Sequence, residues 1–297
     1  MNDIRKLDKR ESLRVVTDNE VIVSDELSKL SLNARKLLYI AISQCQLHDK
    51  EFYEYETTPT ELAEMWGISR TNVYREARRI TDELMQILIH KEQAKGFKTR
   101  HVFDTCDYDD DSKLKFKLHK EMTDLLLGLS GNFSKPLVWD FMRMKSTYSM
   151  AIWHCMQKEM KSFKPMMSAP MEFEMSLDEL RAVTGTQNKL KQIGQFKQRV
   201  LKPAIKEIRT NCWVDISYTD IKDGRFIVGF RFTAKNMMGS INLDDLSYRQ
   251  QKQVRKAILV KKRADGTISP REYDELQSLI LELDQITIED YMNGYPE

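Results

Sequence analysis

The apolar positions of this chain change their period along its length, and each change marks an element. From Asn19, the run N-E-V-I-V-S-D-E-L-S-K-L-S-L-N-A-R-K-L-L-Y-I-A-I-S-Q-C reads as a short extended piece and then a helix. Its buried side is expected to hold Leu37, Leu38, Ile40, Ala41 and Cys45. In T-P-T-E-L-A-E-M-W-G, Thr58 is placed as helix cap, Pro59 at the first helical position, Glu61 to complete a capping box and Gly67 as terminator. A second helix, capped by Ser69, is predicted to run to about residue 85 on an apolar side of Val73, Ala77, Ile80 and Leu84. Strands are expected over residues 87–91, 98–108 and 113–118, with Asp109, Asp110 and Asp111 at the last turn, before a helix over 120–127.

The pattern then repeats. After a helix over 146–160, lined by Tyr148, Ala151, Ile152, Cys155 and Met156, comes S-L-D-E-L-R-A-V-T-G. Ser176 and Glu179 read as a second capping box and Gly185 as a second terminator. Thr58 aligns with Ser176, Glu61 with Glu179, Leu62 with Leu180 and Gly67 with Gly185 without a gap, so the chain carries one module twice. Beyond Gly185, Ile193, Phe196, Val200, Leu201, Ala204, Ile205 and Ile208 recur at helical spacing, and Pro203 is expected to kink or break that helix. Two alternating β runs joined around Asp223-Gly224 signal a hairpin.

Charge gives this second helix its meaning. Over residues 185–209 the chain sets Lys189, Lys191, Lys197, Arg199, Lys202, Lys206 and Arg209 against one acid, Glu207. A cationic, amide-rich helix followed by a hairpin is what a winged helix uses to read a DNA groove and grip its flank. The alternative for such a cluster is a solvated helix face. The expected fold is therefore α+β: two tandem winged-helix domains with a mostly helical C-terminal extension. Residues 1–18 read as a flexible N-terminal arm, 19–133 as the first winged-helix domain, 134–238 as the second and principal DNA-reading one, and 239–297 as the extension, which lacks Lys and Arg from Glu272 onward.

Composition narrows the function. A length of 297 residues suits two domains, and a net charge of only +2 means that nucleic-acid affinity must come from local patches. Cys45, Cys106, Cys155 and Cys212 form no C-x-x-C pair and read as buried free thiols of a cytoplasmic protein. The opening M-N-D-I-R-K-L-D-K-R-E has no apolar stretch to suggest a leader, and no run is long enough to span a membrane. No glycine precedes a lysine, so there is no phosphate loop. The histidines (His48, His90, His101, His119, His154) include no H-x-H pair for a metal-assisted nicking site. Asp107 with Asp109, Asp110 and Asp111 reads as a solvated turn rather than a metal centre. No cofactor, metal or catalysis is expected. Nine of the sixteen methionines fall between Met142 and Met175, which reads as packing around one helix, with an adaptable partner surface as the sharper option.

The segments F-K-Q-R-V-L-K-P-A-I-K-E-I and W-V-D-I-S-Y-T-D-I-K-D-G-R-F-I-V-G-F-R-F resemble the iteron-binding plasmid replication initiator family. N-E-V-I-V-S-D-E-L-S-K-L-S-L-N-A-R-K-L-L-Y and M-K-S-T-Y-S-M-A-I-W support the likeness, which covers residues 19–235 and leaves the tail outside. The resemblance implies a protein that binds direct repeats at a plasmid origin and helps open the duplex. It further implies recruitment of the host initiator and replicative helicase, and repression of its own promoter by a dimer formed through the first domain. It places the second helix of each helix-turn-helix in the major groove. The implied DNA-binding residues are Lys189, Lys191, Gln192, Gln195, Lys197, Gln198, Arg199 and Lys202, with Arg225 of the hairpin, in the second domain. In the first they are Ser69, Arg70, Thr71, Asn72, Arg75 and Arg78. Double-stranded DNA is the partner and no membrane is expected. The nearest alternative is a winged-helix transcriptional repressor without a replication role; a primase or polymerase would need a carboxylate metal site, and a scaffold would not retain DNA.

Overall fold

The structure, a computed structural model, describes residues 4–7, 13–45, 49–92, 95–108, 113–129, 133–160, 170–212, 214–236, 248–264 and 266–284. The chain divides into two compact units, Met1–Lys235 and Asn236–Glu297, each with its own apolar core.

The first unit begins with β1 (Ile4–Lys6), β2 (Thr17–Asp18), α1 (Asn19–Val23), a 3₁₀ turn (Asp25–Lys29), α2 (Leu32–Ser43) and β3 (Glu54–Thr57). Next come α3 (Pro59–Trp66), α4 (Val73–Gln86), β4 (Leu88–Glu92), β5 (Phe97–His101), β6 (Phe103–Tyr108), β7 (Leu114–Leu118), α5 (Thr123–Leu126), β8 (Phe133–Ser134) and α6 (Val138–Met142). Helix α7 (Thr147–Glu159) leads to β9 (Met171–Ser176), α8 (Leu177–Thr184), α9 (Ile193–Phe196), a π turn (Lys197–Leu201) and α10 (Lys202–Cys212). The hairpin β10 (Val214–Asp223) and β11 (Phe226–Asn236) closes it.

One four-stranded sheet, in the order β1-β3-β7-β6, backs the first helix-turn-helix, and a three-stranded sheet, β10-β11-β9, backs the second. Two departures from the sequence reading are visible here. The span 98–108 is not one strand. Val102 and Phe103 are both buried, which breaks the two-residue alternation, so the chain turns there: β5 pairs with β4, whereas β6 pairs with β7. The described parts of residues 1–18 are docked rather than forming a mobile arm. β1 pairs in parallel with β3, the Arg5 guanidinium lies 3.3 Å from the Tyr53 ring centroid, and β2 pairs with β8. Asp109, Asp110 and Asp111 lie outside the described residues, as do residues 285–297.

α2 buries more than one stripe. Leu37, Leu38, Tyr39, Ala41 and Ile42 are buried, Ile40 and Cys45 only partly, and Arg35 and Lys36 are buried too. A buried guanidinium needs acceptors. Arg35 donates to the carbonyls of Leu27 and Thr147, which ties α2 to the start of α7. α7 packs on α1 and on α8 and α10, so one core runs through both halves of this unit. Among the described methionines of the 142–175 stretch, Met144, Met150, Met156, Met160 and Met175 are buried, as core packing requires.

The second unit contains α11 (Tyr248–Ala264) and α12 (Pro270–Asp284), packed through Leu259, Val260, Leu276 and Leu279. Ser269 and Glu272 form the reciprocal cap expected at Pro270, and Arg255 clasps Glu275 with two hydrogen bonds of 2.7 and 2.8 Å.

Candidate nucleic-acid interface

The two helix-turn-helix units start alike. The Thr58 hydroxyl accepts from the Glu61 N–H (3.3 Å) and the Ser176 hydroxyl from the Glu179 N–H (3.0 Å). Leu62 and Leu180 are fully buried at matching positions, and both helices end on a left-handed glycine, Gly67 at φ 66 and Gly185 at φ 63. The boxes then differ. Glu61 reaches back to the Thr58 N–H at 2.8 Å. Glu179 does not return to Ser176 but binds Lys158 and accepts from the Cys155 thiol, because α7 brings a cation beside it. Only half of the second capping box is present.

In the first unit, Ser69 does not cap α4 through its side chain. It precedes a 3₁₀ turn (Arg70–Asn72), and α4 begins at Val73. The Ser69 hydroxyl instead bonds the Thr71 hydroxyl and accepts from the Asn72 amide, both at 2.9 Å, while Arg75 donates to Asn72 at 3.0 Å. Four expected site residues are thus one linked, exposed group. Arg70 and Arg78 are exposed beside it, and Val73, Ala77, Ile80 and Leu84 face the core. Arg79 is held by Glu76 and Glu83. Tyr74 is 62% exposed on this face and meets Tyr108 edge-on at 5.5 Å, an aromatic pair that charge-based reading passed over.

In the second unit one residue organises the turn. Arg181, almost fully buried, donates to the carbonyls of Thr186 (3.0 Å), Lys189 (3.1 Å), Leu190 (3.0 Å) and Lys191 (3.2 Å), and its guanidinium lies 5.0 Å from the Phe196 ring centroid. That grip keeps Lys189 and Lys191 exposed and holds Leu190 at φ 51, a costly conformation for a side-chain-bearing residue. Its sequence signal was faint: an arginine on the buried side of an otherwise apolar helix.

From Ile193 to Cys212 the backbone is one helix with a π turn in place of the expected kink. Pro203 has no N–H to donate, and just before it the Lys202 N–H reaches back five residues to the Lys197 carbonyl. Phe196, Val200, Leu201, Ala204 and Ile208 are buried; Gln192, Gln195, Gln198, Arg199, Lys202, Lys206 and Arg209 are exposed. Lys197 departs from that face. Its ammonium sits between the Asp220 carboxylate oxygens at 2.8 and 2.9 Å and 5.9 Å from the ring centroids of Tyr218 and Phe230. The hairpin loop is Gly224 (φ 57) and Arg225, and Arg225 lies exposed over the Phe226 ring, itself 64% exposed.

Every described site residue except Lys197 is thus exposed. Among the described residues no group of three or more His, Cys, Asp or Glu is placed to hold a metal ion, and no helix is long and apolar enough to cross a membrane.

The family description "Initiator Replication protein, WH1" matches residues 14–157, and "Initiator Rep protein, WH2" matches residues 176–234. A replication initiation protein from Escherichia coli is 29% identical over 157 residues, taking in 52% of this chain and 48% of that relative, about half its length. The fold is also that of the Pi initiator protein in its crystal structure with iteron DNA. That likeness has a TM-score of 0.63 at 20% identity and covers 76% of this chain and 98% of that one.

Proposed function

The chain belongs to the Initiator Replication protein family, whose two winged-helix domains it carries in order, and we propose that it starts plasmid replication by binding repeated sequences at the origin. One observation carries the reading. Two helix-turn-helix units with the same start and the same glycine stop each present an exposed second helix rich in Arg, Lys, Asn or Gln, followed by a β hairpin. Such helices suit the major groove, with arginine and the amides matched to guanine and adenine edges and lysine to phosphate. The DNA-binding set is Ser69, Arg70, Thr71, Asn72, Arg75 and Arg78 with Lys189, Lys191, Gln192, Gln195, Gln198, Arg199, Lys202 and Arg225. Origin opening, recruitment of the host initiator and replicative helicase, dimerisation through the first domain and repression of its own promoter complete the reading, for a cytoplasmic protein with no chemical step of its own.

Footprinting on the DNA flanking the gene tests this. Protected tandem repeats spaced by a whole number of helical turns support it; a single operator over the promoter, with no ability to establish a plasmid, makes the protein a repressor instead.

A further inference from the structure

We propose that the groove between α10 and β10 is a phosphate channel that takes the sugar-phosphate strand crossing the second domain, and that Lys197 and Asp220 position its wall without touching DNA. This rests on the DNA-binding reading above and adds a site to it. A helix in the major groove and a hairpin on the neighbouring minor groove leave one strand between them, and that strand must pass the gap between helix and wing. Here the gap is an open groove lined by Lys202, Ile205, Lys206, Arg209, Thr210 and Tyr218.

Its chemistry suits a phosphodiester. Lys202, Lys206 and Arg209 lie at i, i+4 and i+7, so one helix face aligns three cations. Lys202 and Lys206 have no carboxylate partner among the described residues. Arg209 pairs with Asp215 at 2.9 Å, but both side chains are about half exposed, and such a bridge is weak enough for a phosphate to replace. The Tyr218 hydroxyl supplies a neutral donor, whereas that of Thr210 donates to the Lys206 carbonyl at 3.0 Å, and Ile205 and the tyrosine ring give the sugar an apolar floor.

The wing strand β10 carries three groups hostile to an anion: Asp215, paired with Arg209, Asp223 at the hairpin tip, and Asp220. The Asp220 charge is answered by Lys197 on both carboxylate oxygens, with each side chain 24% exposed. The same ammonium lies near the Tyr218 ring, so the bridge fixes a residue that lines the groove. Lys197 is therefore a positioning residue, committed to helix-to-wing geometry before DNA arrives.

The test is the salt dependence of binding by the full-length protein, measured on its footprinted repeat and on a random duplex of equal length. Lys202→Ala and Lys206→Ala should each lower the log–log slope by about 0.9 and weaken both duplexes equally. Lys197→Met with Asp220→Asn, which removes a paired charge from each side, should leave the slope unchanged. The swap Lys197→Asp with Asp220→Lys should restore repeat affinity lost in Lys197→Asp alone. Unaltered slopes in the two alanine variants, against a wild type that binds with a steep slope, overturn the channel. A slope reduced by about one in the Lys197→Met, Asp220→Asn protein, with its circular dichroism native, makes Lys197 a phosphate contact and overturns the positioning role. A wild type that retains neither duplex overturns the DNA-binding reading and the channel with it.

Discussion

The His154 Nδ1 atom lies 2.9 Å from the Tyr39 hydroxyl, and on the other side of the ring Nε2 is 3.2 Å from the hydroxyls of both Thr17 and Ser134. One imidazole thus joins α2, α7 and the β2–β8 pair inside the first unit. Burial away from water drives its pKa down to about 3, with the nearby Arg35 charge acting in the same direction.

This neutral histidine makes stability depend on pH. Its folded pKa is below the unfolded value of 6.5, so between the two the unfolded chain binds a proton that the native protein does not. Stability is full above about 6.5 and falls as pH drops toward 3, at about 1.4 kcal/mol per pH unit. Lowering the pH from 7 to 5 should therefore cost about 2 kcal/mol through this residue. Denaturant midpoints of the wild type and His154→Gln across that range check it: the variant's curve should be flatter, and parallel curves would refute the assignment.

The two terminating glycines should respond unequally to alanine. Both hold left-handed backbone, which alone costs a side-chain-bearing residue about 1–2 kcal/mol. A β-carbon at Gly67 meets nothing within 4 Å, whereas at Gly185 it would stand 2.6 Å from the Ser28 oxygen and 3.0 Å from its β-carbon. Gly185→Ala should be the more destabilising in chemical denaturation, and adding Ser28→Gly should bring it back to the level of Gly67→Ala.

Arg181→Met should weaken DNA binding at least tenfold without removing a cation from the exposed face. The loop over residues 186–191 would lose four carbonyl contacts and release Lys189 and Lys191 from their positions. Hydrogen bonds from a charged donor contribute about 1.5–3 kcal/mol, so a lower unfolding midpoint should accompany the effect. The readout is the salt slope beside the affinity: affinity falls and slope stays if the residue acts by positioning, whereas a reduced slope would mean that it meets phosphate itself.

Arg199→Ala should cost about 1–3 kcal/mol on repeat DNA if its exposed guanidinium meets a guanine edge. Random duplex separates the two modes of contact. Equal loss on both DNAs marks a phosphate contact, and a loss confined to the repeat marks base reading.

Thr58, Glu61, Gly67, Ser176, Gly185 and the Asp223-Gly224 turn were legible from residue order alone, as were the buried sides of α4 and of the 193–212 helix. Caps, glycine stops and amphipathic stripes are relations among residues a few positions apart, so neighbouring side chains encode them directly. Tertiary structure decided the rest. Whether Glu179 closed its box depended on Lys158, 21 residues away, and whether Lys197 faced solvent depended on Asp220, 23 away. The docking of β1 on β3 and the turn at Val102 likewise followed from which surfaces had to be buried together. A cation looks the same in a sequence whether it will meet DNA or a carboxylate of its own chain; only the packed arrangement brings the competing acceptor within reach.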